Sequence, residues 1–187
     1  MAARPDKFTD RLFFALRPDA AALASIEAAR ERLRTEQALL SAPLKAEELQ
    51  ITLHHLGDFV RFPQELADKA MAAAASFSAA AFEVKLDQAS SLKRRDAKKH
   101  PLVLLPGEAS LVALKAFHAQ LTASLKTAGI YRYASFNPHL ALLEDVMAVE
   151  QQPIAPISWT PSEFVLVNGK FGKGEDVVLG RWTFPQP

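Results

Sequence analysis

The 187-residue sequence contains no cysteine. That absence excludes disulfides, thiolate nucleophiles and cysteine-ligated zinc or iron–sulfur centres. An excess of either charge is missing too. With a net charge of +1, the chain has no overall attraction to nucleic acid or anionic membrane, and any basic binding surface must be local. No apolar run approaches the roughly 20 residues that a membrane-spanning helix requires. The first residues, Met1-Ala2-Ala3-Arg4-Pro5, show no apolar signal region, so a cytoplasmic location is expected. The patterns His-Glu-x-x-His and Gly-x-Ser-x-Gly do not occur, which leaves metalloprotease and serine-hydrolase chemistry without support. The glycine- and lysine-rich stretch 169–174 lacks the spacing and final hydroxyl of a phosphate-binding loop and reads as a hairpin turn.

What remains is an ordinary globular composition, 49% hydrophobic and 23% charged, long enough to bury a sizeable core. Residues 11–17 form a short phenylalanine-rich run that predicts a buried strand, with Phe13 and Phe14 in the core or one of them open to a groove. Asp19 then suits a helix N-cap, and Leu23, Ile26, Leu33 and Leu40 recur at helical spacing, with Arg30 and Gln37 at the margin. Pro43 stops that helix by Ser41 and Ala42. A strand is expected over 49–57, closed by Gly57 and Asp58. A helix follows from Gln64 to about Ser76, then a strand over 82–86. The pattern restarts with a strand at 102–105 and a helix marked by Leu111, Leu114, His118, Leu121 and Leu125, ending at Gly129. Another strand runs through 136–143. Pro153 and Pro156 break the next segment, and 163–167 with 177–182 predict a closing strand pair.

Strand, helix, strand thus occurs twice. The spacing from Leu12 to Gln50 matches that from Leu102 to His139 within one residue. One long-period repeat implies a duplicated lobe, with units near 11–57 and 101–143. The expectation is a single α+β domain spanning 1–187, made of two pseudo-symmetric lobes. Each lobe has an antiparallel sheet with helices outside it, around a central groove. Strand side chains alternate faces, so Gln50 and Thr52 share one face, as do His139 and Ala141, and the two pairs are placed to share the groove. The same alternation puts His54 at the rim on the Gln50 face and His55 at a core boundary.

Four stretches carry a resemblance: Arg-Leu-Phe-Phe-Ala-Leu at 11–16, Thr-Leu-His-His-Leu-Gly-Asp-Phe at 52–59, Phe-Asn-Pro-His-Leu at 136–140 and Trp-Thr-Pro-Ser-Glu-Phe-Val-Leu-Val at 159–167. In these the chain resembles the 2′-5′ RNA ligase family, RNA 2′,3′-cyclic phosphodiesterases of the two-histidine phosphoesterase superfamily. The family's signature is a pair of His-x-Thr/Ser motifs, one per lobe. Here the first motif has Gln50 in place of histidine and keeps Thr52. The second keeps His139 and has Ala141 in place of the hydroxyl residue, with Glu144 beyond it where relatives tend to be aromatic or basic.

The resemblance implies that His139 is the general base and that Gln50 occupies the general acid's position. Thr52 is then a phosphate contact, with Ala141 where its counterpart would be. Glutamine cannot release a proton near neutral pH, and loss of a general acid costs about 10²–10⁴ in rate. Impaired or altered hydrolysis of cyclic-phosphate or 2′-phosphate RNA ends is therefore expected, with a non-catalytic binder of RNA ends or nucleotides as the alternative. Lys93, Arg94, Arg95, Lys98 and Lys99 form the sole charge run and are candidates for contacting the RNA backbone. No metal, no cofactor and no membrane partner is expected, and the protein should be a monomer.

Overall fold

A computed structural model of the chain describes residues 7–93, 97–131, 135–172 and 176–185. The opening strand, β1 (Asp10–Leu16), leads into helix α1 (Ala20–Glu36). Asp19 caps the helix, its Oδ1 accepting the Ala22 amide at 2.8 Å. The buried stripe is Ala22, Ile26, Ala29, Arg30 and Leu33. Arg30 is inside rather than marginal, because its Nη1 donates to the Leu44 carbonyl at 2.8 Å. The helix also stops several residues before the expected Ser41, leaving Leu40 outside the core and 91% exposed. The Ala38 amide bonds Thr35 and the Leu39 amide bonds Arg34, with Ala38 at φ 52°. This is a Schellman closure with alanine where glycine is usual, so no residue marks the stop.

A 3-10 turn at Ala46–Glu48 precedes β2 (Ile51–Phe59), which continues through Gly57 and Asp58 instead of ending there. Helix α2 (Gln64–Ala75) and strand β3 (Val84–Ser91) follow, then β4 (His100–Pro106) and helix α3 (Glu108–Thr127). Gly129, at φ 79°, closes α3 by the same two-bond pattern, and here the glycine made the end legible. The chain finishes with β5 (Leu140–Asp145), β6 (Gln152–Trp159), β7 (Glu163–Lys170) and β8 (Asp176–Thr183). The prolines at 153 and 156 do not break β6. It is an edge strand in which a missing amide is tolerated, and among the described residues it pairs with β3 alone.

The protein is α+β. Its strands form one antiparallel sheet in the order β6-β3-β4-β5-β2-β1-β7-β8. Read outward from the middle, each half runs from a motif strand to the opening strand of its unit and then to two further strands. The halves meet at one residue pair, Ile51 with Leu140. Beyond it β5 is continued by the 43–44 segment, through a Pro43–Leu143 bridge and the Leu44 amide on the Leu142 carbonyl at 2.9 Å. Helix α3 packs on α2 and on strands of both halves, and α1 packs on β6, so one core underlies the whole sheet. Phe14 is fully buried in that core. Phe13, one residue away, joins Ala15, Val165 and Val167 on the opposite face.

Asp145, 2% exposed, ties the end of α1 to the end of β5. Its Oδ2 accepts the Leu40 and Ser41 amides at 3.1 and 2.8 Å, and its Oδ1 the Met147 amide at 2.9 Å. These bonds, the Met147 amide foremost, outweigh burial and hold its pKa at about 2. A carboxyl depressed from 3.8 to about 2 contributes about 2.5 kcal/mol above pH 4, and that stability is lost as pH falls toward 2. Asp145→Ala strands three amides and is expected to cost about 3 kcal/mol at pH 7 in chemical denaturation. The difference from the parent should narrow below pH 4; a constant difference down to pH 2 would refute the account.

Candidate functional site

The face of the sheet that carries Phe13 holds a cavity of about 550 Å³. All four groove positions expected from the sequence line it: Gln50, Thr52, His139 and Ala141. The Ile51–Leu140 pair explains why, since the antiparallel register sets Thr52 against His139 and Gln50 against Ala141 on either side of it. Glu144 is exposed and does not line the cavity. Of the basic run, Lys93, Lys98 and Lys99 are exposed and do not line the cavity, while Arg94 and Arg95 lie outside the described residues. Lys93 pairs with Glu150 at 2.6 Å, and Lys99 reaches the Ser41 hydroxyl at 3.4 Å.

His139 is half-buried, and its Nδ1 lies 2.7 Å from the Asn137 carbonyl oxygen. A carbonyl only accepts, so Nδ1 carries the proton and the neutral ring keeps its lone pair on Nε2. That is the tautomer a proton-accepting histidine needs. Gln50 is held at both ends of its amide: Oε1 accepts from Arg17 Nε at 3.3 Å, and Nε2 donates to Asp176 Oδ2 at 2.6 Å. Asp176 titrates above the ordinary aspartate value because burial penalises its charge. The Gln50 bond and Arg17 oppose that shift, and Glu48 and Glu47 add to it. A Cβ at Gly169 would stand 3.1 Å from Asp176 Oδ1 and 3.4 Å from the Phe13 ring, so the absence of a side chain there lets the carboxyl settle beside Gln50.

The two adjacent histidines exchange the places expected of them. The β1–β2 register slips between Phe14 and Ala15, which pair with His54 and Thr52, and again between Leu12 and Phe13. Each slip is a bulge that resets the alternation. His54 therefore turns into the core, 3% exposed, with its ring 5.4 Å from that of His118 on α3 and its Nδ1 3.3 Å from the Thr122 hydroxyl. His55 turns into the cavity, where its Nε2 lies 3.0 Å from Asp58 Oδ1. Asp58 is also bridged by Arg11 Nε at 2.9 Å, and the Arg11 guanidinium lies 4.7 Å over the ring of Phe171.

Sequence reasoning missed Arg11, His55, Lys170, Phe171 and Asp176 in the lining. Four of these come from strands or turns distant in sequence, and no local pattern announces them. The reset alternation of a bulged strand hid His55. Chemically, the groove offers two imidazoles, one hydroxyl, two cations, two half-buried carboxyls (Glu48 and Asp176) and aromatic surface. That set suits an anionic ligand with a flat, stackable part. Among the described residues, no group of three or more His, Asp or Glu side chains converges as a metal site.

No protein-family model matches the chain, and no curated sequence does either. Solved structures match it across nearly its whole length. Escherichia coli LigT complexed with ATP is 23% identical, with 95% of this chain and 99% of that chain covered and a TM-score of 0.72. A phosphoesterase is 23% identical over the same shares, with a TM-score of 0.69. The protein TT0787 of Thermus thermophilus is 19% identical over 93% and 97% of the two chains, with a TM-score of 0.67. The likeness establishes a shared fold.

Proposed function

We propose that this protein acts on RNA or nucleotide ends bearing a 2′,3′-cyclic phosphate or a 2′-phosphate, as a two-histidine phosphoesterase with slowed or altered catalysis. The observation that carries this reading is the pairing of His139 with Thr52 across one groove, with His139 in the proton-accepting tautomer. Arg11 and Lys170 supply positive charge along the same wall, and Phe171 supplies a ring face for a base. LigT, which has this fold, has been crystallised with ATP, NADP+, 3′-AMP and phosphate, all of them phosphate-bearing.

In the hydrolytic step a water attacks phosphorus in line with the departing ribose oxygen. His139 Nε2 takes the water's proton as the new P–O bond forms, and Thr52 donates a hydrogen bond to a non-bridging oxygen. Ala141 donates none, which weakens hold on the phosphate. Lys93, Lys98 and Lys99, exposed and outside the cavity, would contact the backbone of a longer RNA instead of its end. The protein works as a cytoplasmic monomer.

A second reading follows from Gln50 and Ala141. With no proton donor at position 50 and no hydroxyl at 141, the groove could bind such ends without turning them over. One experiment separates the two. Saturable, salt-weakened binding of 2′-AMP together with measurable opening of 2′,3′-cyclic AMP is the expected result. Binding with no turnover would select the second reading, and neither binding nor turnover would overturn both.

A further inference from the structure

Opening a cyclic phosphate at useful speed needs a proton for the departing ribose oxygen, and Gln50 has none to give. From the geometry of the groove we infer that Asp176 supplies that proton, with Gln50 as the positioning residue that holds its carboxyl in place. The inference rests on the phosphoesterase reading above.

Asp176 lines the same cavity as His139, and one of its oxygens lies 2.6 Å from the amide of the residue at the missing acid's position. Because Oδ2 accepts from Gln50 Nε2, the proton of the neutral carboxyl resides on Oδ1. A Cβ at residue 169 would press on that atom at 3.1 Å, so glycine there leaves it room. Gln50 is itself oriented by Arg17, so the amide presents its NH₂ and not its oxygen to the carboxyl. Three side chains from distant parts of the chain, at 17, 50 and 176, therefore fix one carboxyl at one place. The groups bearing on its charge are Arg17 at the end of β1 and Glu47 and Glu48 in the 3-10 turn. Burial raises its pKa in the free protein, and an anionic phosphate entering the same cavity raises it further by like-charge repulsion.

The competing donor is His55. It lies three residues beyond Thr52, roughly 10 Å along an extended strand, and its Nε2 is engaged by Asp58, which Arg11 already bridges. Asp176 is the donor adjacent to the position the acid must occupy.

The step balances simply. Water oxygen bonds phosphorus and its proton passes to His139. The bond from phosphorus to the ribose oxygen breaks, and that oxygen takes the Asp176 proton. His139 then returns a proton to solvent and Asp176 regains one.

The test compares 2′,3′-cyclic AMP with an analogue carrying sulfur at the departing bridging position, because a thiolate leaves without a proton. Asp176→Asn is expected to slow the oxygen substrate about 10²-fold and to leave the sulfur substrate nearly unchanged. It should also abolish the fall in rate that the parent shows as pH rises through the carboxyl's titration. Asp176→Glu, which keeps an acid, should recover part of the loss. His139→Ala should slow both substrates. Equal slowing of both substrates by Asp176→Asn, or slowing of neither, overturns the inference while the His139 result upholds the phosphoesterase reading. A sulfur-rescued loss in His55→Gln with none in Asp176→Asn overturns it in favour of His55. A parent that turns over neither substrate overturns the phosphoesterase reading and this inference with it.

Discussion

His139→Ala is expected to reduce turnover of 2′,3′-cyclic AMP by about 10³-fold, within the range that loss of a general base produces. The reason is specific to the ring's geometry. Its Nδ1 proton is committed to the Asn137 carbonyl at 2.7 Å, so Nε2 is the one nitrogen left to accept a proton from water. KM should move little, because Arg11, Lys170 and Thr52 remain to hold the phosphate. Added imidazole should restore part of the variant's rate. Activity equal to the parent's would sink the proposed site. A loss that appears wholly in KM would reassign His139 to binding.

The second large effect concerns stability. His54 sits in the core with burial foremost, and His118 and His55 in addition, lowering its pKa to about 4. In the unfolded chain it titrates near 6.5. The unfolded state therefore binds the proton first as pH falls. Stability is complete above about pH 6.5, declines between 6.5 and 4, and is level below 4. The difference of about 2.5 pH units corresponds to about 3 kcal/mol. His54→Phe keeps an aromatic ring against His118 and removes the titration. It also removes an Nε2 that has no hydrogen-bond partner among the described residues. Denaturation midpoints should fall steeply from pH 7 to pH 4 in the parent and much less in the variant. Parallel curves would show that His54 is protonated in the folded protein.

The sequence showed the parts of this fold that follow from periodicity and capping. The Phe-rich opening strand, the Asp19 cap, the Gly129 stop and the first motif strand could be read because each leaves a residue-level mark, whereas the second motif strand begins at Leu140 and not at 136, with His139 just ahead of it. The end of α1 could not, since Ala38 adopts a backbone conformation that alanine does not advertise. Strand β6 was hidden by two prolines that only an edge position makes tolerable. The histidine exchange at 54 and 55 was illegible for a deeper reason. A bulge changes the face of every residue after it, yet nothing in Leu53-His54-His55-Leu56 distinguishes a bulged strand from a regular one. In the groove, the four motif positions were found by spacing. Asp176 was not, because its partner Gln50 lies 126 residues away and the contact depends on tertiary packing alone.

The lone Ile51–Leu140 pair acts as an alignment mark for the chemistry. In an antiparallel arrangement, displacing one strand by two residues would set Ala141 against Thr52 and carry His139 away from it. A displacement by one would turn every groove side chain of that strand toward the helices. The site's tolerance is thus quantised by the peptide repeat, roughly 3.3 Å per residue. The single Leu44–Leu142 bond and the Pro43–Leu143 bridge next to it serve as a latch against slippage. A loop insertion elsewhere in this chain would leave the groove in tune, whereas one added residue between Pro43 and Gln50 would act on its calibration directly.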